Sequence, residues 1–116
     1  MPNQSGRVAE RDDVGRVFRA LGDPTRRAVV ERLCDGPAAM SELARGFDMA
    51  LPSFAQHLGV LEGCGLVRSQ KRGRVRTYEL TPAALEAGEQ WLSRQRSLWE
   101  RRLDQVGAFL VQGKES

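Results

Sequence analysis

The sequence predicts a mainly α-helical domain with one small β-hairpin and a long terminal helix. Three observations predict it. Between residues 12 and 62, four short stretches carry apolar residues at helical spacing, each parted from the next by a Gly, Pro or Asp break. A stretch holding Val67, Val75, Thr77 and Tyr78 then folds about Gly73, as two strands joined by a turn do. From Ala83 to about Gln112 a single helical pattern repeats Leu85, Leu92, Trp99 and Val106 at every seventh position.

At 116 residues the chain is one domain, with room for only a small core. Charged residues make up 28% and hydrophobic residues 41%, which argues against global disorder. No apolar run approaches the roughly 18 residues of a membrane span. The polar start MPNQSGRVAERDD carries no secretory signal, so the cytoplasm is the expected location. Residues 1–11 read as a flexible tail, and residues 12–112 as the folded domain.

In the first helix, residues 12–21, Val14, Val17, Phe18 and Leu21 form one stripe. Asp12 or Asp13 can cap it, and Gly22 ends it. Asp23-Pro24 restarts the chain with a good N-cap and a proline at the first helical position, where its missing N–H costs nothing. The second helix runs to about Cys34 with Ala28, Val29 and Leu33 inward, and Asp35-Gly36-Pro37 stops it. A short third helix starts at Ser41 as cap and carries Leu43, Ala44 and Phe47 on one side. The fourth, residues 51–62, follows after a tight turn, so the pair reads as a helix-turn-helix. Its inward side is Leu51, Phe54, Leu58 and Leu61; its outward side is Ser53, Gln56, His57 and Val60. Gly63 and Gly65 close it.

The hairpin forms a wing over residues 68–78. Arg68, Lys71, Arg72, Arg74 and Arg76 place five positive charges in nine residues with no acid among them. Removing those five from the 18 basic residues leaves 13 against 15 acidic ones, so the +3 net charge is largely this one patch. Such a localised patch points to a polyanion. Alternation along the strands predicts Arg72, Arg74 and Arg76 on one face and Val75 and Thr77 on the other. Thr81-Pro82 starts the last helix, residues 82–112, about 45 Å long. Leu103 and Leu110 extend its heptad stripe, and Trp91, Leu98 and Phe109 widen it. A small domain cannot cover so long a stripe, which implies a second copy of the chain.

The segments LGDPTRRAVVERL (21–33), MSELA (40–44), LPSFAQHLGVLEGCGLV (51–67) and KRGRVRTYEL (71–80) resemble the ArsR family of bacterial winged helix-turn-helix transcriptional regulators. The segment WLSRQRSLWERRLDQV (91–106) is similar to the tail of a branch of that family without metal sites. The resemblance implies a homodimeric DNA-binding regulator, usually a repressor, whose first and last helices form the dimer interface. Val14, Val17, Phe18, Leu85, Trp91, Leu92, Trp99, Leu103, Val106 and Leu110 are the residues expected there.

The expected partners are a double-stranded DNA operator and a second copy of the chain; no membrane, metal or cofactor is expected. Gln56 is the leading candidate for base readout, since its amide pairs bidentately with adenine. Ser53, near the helix start, suits a phosphate. His57 fits either a phosphate contact or a structural hydrogen bond. Lys71, Arg72, Arg74 and Arg76 would lie along the backbone or reach the minor groove. The fourth helix departs from the family pattern in having Ala50 rather than a Ser or Thr cap, and Ala55, Gln56 and Gly59 at positions often small-polar or basic. Phosphate binding is thereby shifted toward the wing.

One metal-site design of the family needs a cysteine pair in the third helix, and residues 38–48 hold no Cys. Another needs His in the last helix, and His57 is the sole His. Cys34 and Cys64 are either a small core residue and a turn filler or the two halves of a thiol switch. A nucleophile–base motif, a phosphate-binding Gly loop and paired acids are lacking, so no enzyme is expected. A winged-helix module for RNA or protein is the alternative. The groove-facing Ser53 and Gln56 favour duplex DNA, because the A-form major groove is too narrow for a helix.

Overall fold

Asp23 and Pro24 begin the clearest local structure of the chain. The Asp23 side chain accepts a hydrogen bond from the Arg26 N–H at 3.0 Å, and Pro24 occupies the first turn of a ten-residue helix. In a computed structural model, which describes residues 13–115, the elements follow in order: α1 (13–21), α2 (Pro24–Leu33), β1 (Ala38–Ala39), α3 (Met40–Ala44), α4 (Leu51–Gly63), β2 (Val67–Arg72), β3 (Val75–Leu80) and α5 (Pro82–Glu115). The expected tail at 1–11 and the Asp12 cap lie outside the described residues. The fold class expected from the sequence is the one found, mainly helical with a wing and a long last helix.

The core sits where α1, α2 and α4 meet the base of the sheet. Val29, Phe54, Leu58, Leu61, Leu66 and Val67 are its most enclosed large side chains, joined by Val17, Ala20, Leu33, Ala38, Leu43 and Tyr78. Burial of such side chains supplies about 1.5–3 kcal/mol each, and their helical spacing fixes which face of each helix turns inward.

Four details differ from the sequence expectation. The sheet has three strands in the order β1-β3-β2, since Ala38 and Ala39 pair antiparallel with Tyr78 and Thr77. Two alanines carry no β signal of their own; the pairing is imposed by the neighbouring strand. Ser41 is not a cap: α3 begins at Met40 after Ala39, with no side-chain cap hydrogen bond. Leu51 is not inward but 59% exposed. It stands at the first position of α4, beyond the end of the core, and opens onto a cleft shared with Met40 and Val75. The last helix continues to Glu115, past the expected end at residue 112, so at 1.5 Å per residue its 34 residues span about 50 Å.

The junction between α4 and β2 is closed chiefly by backbone hydrogen bonds. Gly65, at φ +83°, donates its N–H to the Glu62 carbonyl at 3.1 Å, and Leu66 donates to the Leu61 carbonyl at 3.0 Å. This is a Schellman closure, in which a left-handed glycine turns the chain out of the helix. Its customary apolar contact pairs Leu61 with Leu66, both fully buried. Thr81 then donates to the Leu66 carbonyl at 2.9 Å, tying the far end of the hairpin to the same point.

Candidate nucleic-acid interface

Phe54, Leu58 and Leu61, at spacings of four and three, pin one side of α4 to the core. The opposite side is therefore outward, and it holds exposed Pro52, Ser53, Gln56, Gly59 and Val60. None of these bears a charge. The first turn has no side-chain cap, and Pro52 lacks an N–H, leaving the Leu51 and Ser53 N–H groups without intrahelical partners. Gln56 projects from mid-helix and is exposed, and Ser53 lies one turn nearer the start.

His57 lies on the flank of α4 rather than its crest. Its side chain is 23% exposed, with Nδ1 3.1 Å from Nη1 of Arg26 and 3.7 Å from a carboxylate oxygen of Asp23. Arg26 is itself fixed. Its Nε donates to the Ala20 carbonyl at 2.7 Å and its Nη2 to the Arg19 carbonyl at 3.1 Å, tying it to the carbonyl end of α1. The hydrogen bond from the Arg26 N–H holds the Asp23 carboxyl below its ordinary value; burial opposes it, and the neighbouring His57 and Arg26 charges add smaller downward effects. One residue on α2 thus joins α1 to α4.

In the wing, β2 and β3 pair from Val67↔Leu80 to Arg72↔Val75, leaving Gly73 and Arg74 as a two-residue turn. Gly73 has φ +62° and no other residue of the turn has positive φ, the pattern of a type II′ hairpin with Gly first. Every residue from Gln70 to Thr77 is exposed. The register corrects the expected faces. Residues directly opposite share a face, so Arg72 goes with Val75, while Arg76 goes with Lys71, Ser69 and Tyr78. Counting alternation straight through the turn fails because Gly73 and Arg74 are not part of the pleat.

Each face carries an arginine tie. Arg76 Nη1 donates to Ser69 Oγ at 2.8 Å, and Ser69 Oγ donates to the Glu62 carboxylate at 2.9 Å. This chain runs from the wing to the last turn of α4. On the other face Arg68 pairs with Glu79 across the strands. Burial pushes the Tyr78 hydroxyl above its ordinary value, and the Glu62 charge adds to this while Arg76 opposes it.

Of the residues expected between copies, Trp91 packs edge-on against Phe18 with ring centroids 5.5 Å apart. Val17 is 4% exposed and belongs to the protomer's own core, with Leu85 packed against that core. Leu92, Trp99, Leu103, Val106 and Leu110 are all exposed, Trp99 at 62%, and so are Leu98, Phe109 and Val111. Cys34 and Cys64 are free thiols; Cys34 is exposed, and Cys64 donates its S–H to the Leu61 carbonyl at 3.3 Å. Arg26, Glu62 and Ser69 are not legible in the sequence as parts of this site. Their bonds to α4 or the wing span 31 and 7 residues, and only for Arg26 was there a signal, its place inside the recognised LGDPTRR segment.

Comparison with known proteins agrees with this geometry. A family model described as a helix-turn-helix domain matches residues 21–70. The chain is 44% identical over 88 residues to the HTH-type transcriptional regulator Rv2034 of Mycobacterium tuberculosis, covering 76% of this chain and 79% of that protein. It is 29% identical over 76 residues to the transcriptional repressor SdpR of Bacillus subtilis, covering 66% and 84%. A crystal structure of an ArsR family transcriptional regulator superimposes with a TM-score of 0.76 at 51% identity, covering 78% of this chain and 93% of that one.

Proposed function

We propose that this chain, which belongs to the ArsR family of winged helix-turn-helix transcriptional regulators, is a homodimeric repressor that holds a duplex operator with α4 in the major groove and the wing on the flanking backbone. It is a DNA-binding regulator of transcription and not an enzyme. One observation carries the division of labour: an uncharged outward face with Ser53 and Gln56 stands beside a hairpin whose tip is exposed and basic. An α-helix of about 10–12 Å diameter fits the major groove, where an amide discriminates base edges. Lys71, Arg72 and Arg74 supply the charge that binds any sequence. Arg76, one pair back from the tip, is tied through Ser69 to Glu62 and adds its charge from there.

Dimerisation is supported by the bare apolar surface of α5, where Trp99 and Phe109 are 62% and 74% exposed. Val14, Phe18, Trp91, Leu92 and the distal residues of α5 form its contact surface, with Val17 and Leu85 underlying it. The name of the Bacillus subtilis relative supports repression. Regulation without a metal is supported by the chain's one His being engaged by Arg26. No helix among the described residues is long and apolar enough to cross a membrane, and the cytoplasm is where its DNA target would be met.

Selection of bound duplexes from a random pool tests this reading. The expected product is a two-fold symmetric sequence with half-sites about one helical turn, or about 34–36 Å, apart. Enrichment of a single asymmetric site, or of none, would overturn it.

A further inference from the structure

The Arg26–His57 contact decides a question of hydrogen placement. A guanidinium has five N–H donors, no acceptor, and stays protonated. At 3.1 Å from Nη1, the Nδ1 of His57 meets a donor and must itself accept. The competing arrangement, an Nδ1–H given to Asp23, would have to cross 3.7 Å, beyond hydrogen-bond range. Arg26 cannot easily turn aside, because its other nitrogens hold the Ala20 and Arg19 carbonyls. Asp23 is likewise occupied by the Arg26 N–H at 3.0 Å. A neutral ring with an acceptor at Nδ1 carries its hydrogen on Nε2, and the two ring nitrogens point in diverging directions. The ring sits on the same helix as Ser53, one turn further along, and is partly open to solvent.

We propose that Arg26 is a positioning residue for DNA binding: it fixes His57 in the Nε2–H tautomer, so that His57 meets a backbone phosphate as a neutral, directed donor. The phosphate part rests on the operator-binding reading above; the tautomer part does not. A neutral donor adds a hydrogen bond without adding to the counterions released. A hydrogen bond to a charged group is worth about 1.5–3 kcal/mol, or roughly tenfold or more in affinity. Because phosphates carry no sequence information, operator and mixed-sequence DNA benefit alike.

Two measurements test it. Long-range proton–nitrogen correlation spectra of the free protein in alkaline buffer give the tautomer directly. Nε2–H is expected for the unaltered chain, and a rise in Nδ1–H for Arg26→Met, whose ring is freed to turn toward Asp23. An Nδ1–H form in the unaltered chain, or no change in a folded Arg26→Met, would overturn the role of Arg26. Should Arg26→Met not fold, the unaltered chain's spectrum still decides the tautomer. The second measurement uses a duplex of mixed sequence. His57→Gln keeps an amide donor near the Nε2 position, whereas the shorter His57→Asn places its amide near Nδ1 and falls short of the Nε2 position. The expected losses are about threefold for Gln and about tenfold for Asn, with little change in salt slope. Equal losses or the reverse order would overturn the phosphate contact. If the unaltered chain bound no duplex at all, the operator reading itself would fall while the tautomer result stood.

Discussion

The helix α4 and the hairpin β2–β3 are joined by only Cys64, Gly65 and Leu66, yet they are built on opposite terms. α4 is anchored by three side chains that are all but fully enclosed, and its outward face is uncharged. The hairpin is exposed from Gln70 to Thr77, is held there by its ladder and its turn, and carries the charge. Reading base edges needs hydrogen bonds, which weaken steeply with misalignment. Attraction between an arginine and a phosphate falls only as the inverse of distance, moderated by salt. The part that must be accurate is therefore bolted to the core, and the part that need only be positive is left at the rim.

Truncating Leu61 to Ala should have the largest effect, because this side chain serves both regions: it anchors α4 and closes the turn into β2. A loss of about 2–5 kcal/mol is expected in urea unfolding. Hydrogen exchange should quicken together in α4 and β2; a hairpin that stayed protected would show the two regions to be separate units. Next in size, Gln56→Ala should cost about 1–3 kcal/mol on the selected operator and leave binding to mixed-sequence DNA unchanged. Uniform weakening would break the contrast by making Gln56 part of the grip. Arg74→Ala should act in the opposite sense, weakening both duplexes alike and making the logarithmic salt slope shallower by about one unit. A retained slope would remove Arg74 from the phosphate contacts.

The smallest effect concerns the moorings of α4. The Asp23 carboxyl titrates below its ordinary value of 3.8 in the folded chain, so near that value the unfolded chain binds the extra proton. Its stabilisation is present above pH 3.8 and is lost as pH falls through the lowered value. Asp23→Asn, which keeps a capping side chain without the charge, should flatten the acid limb of a plot of melting temperature against pH. An unaltered acid limb would show that Asp23 contributes as a cap and not as a charge.

Much of this arrangement is legible in the chain itself. Asp23-Pro24 and Thr81-Pro82 mark their helix starts because their chemistry is local, and the spacing of Phe54, Leu58 and Leu61 fixes which way Gln56 points. Gly73 marks the turn because only a left-handed residue suits it. Illegible features depend on partners distant in sequence. Ala38 and Ala39 become a strand only because β3 lies beside them. Leu51 falls in step with the apolar stripe, but the core ends before reaching it. Arg72 changes face because two turn residues interrupt the count. Arg26 reads as one more surface cation until the fold brings His57 to within 3.1 Å of it.

Gly65 has a mechanical consequence. The strands beyond it are six residues long, so the wing is a lever of about 20 Å at about 3.3 Å per residue. A tilt of about 10° at the pivot would carry its tip sideways by about 3.5 Å, taking that same length. Successive phosphates of one strand advance by about 3.4 Å. An angular error that small would slide the arginines by one nucleotide while leaving Gln56 over its base. The Leu61–Leu66 clasp around Gly65 thus works as a gauge, setting how many base steps separate what the helix reads from where the wing takes hold.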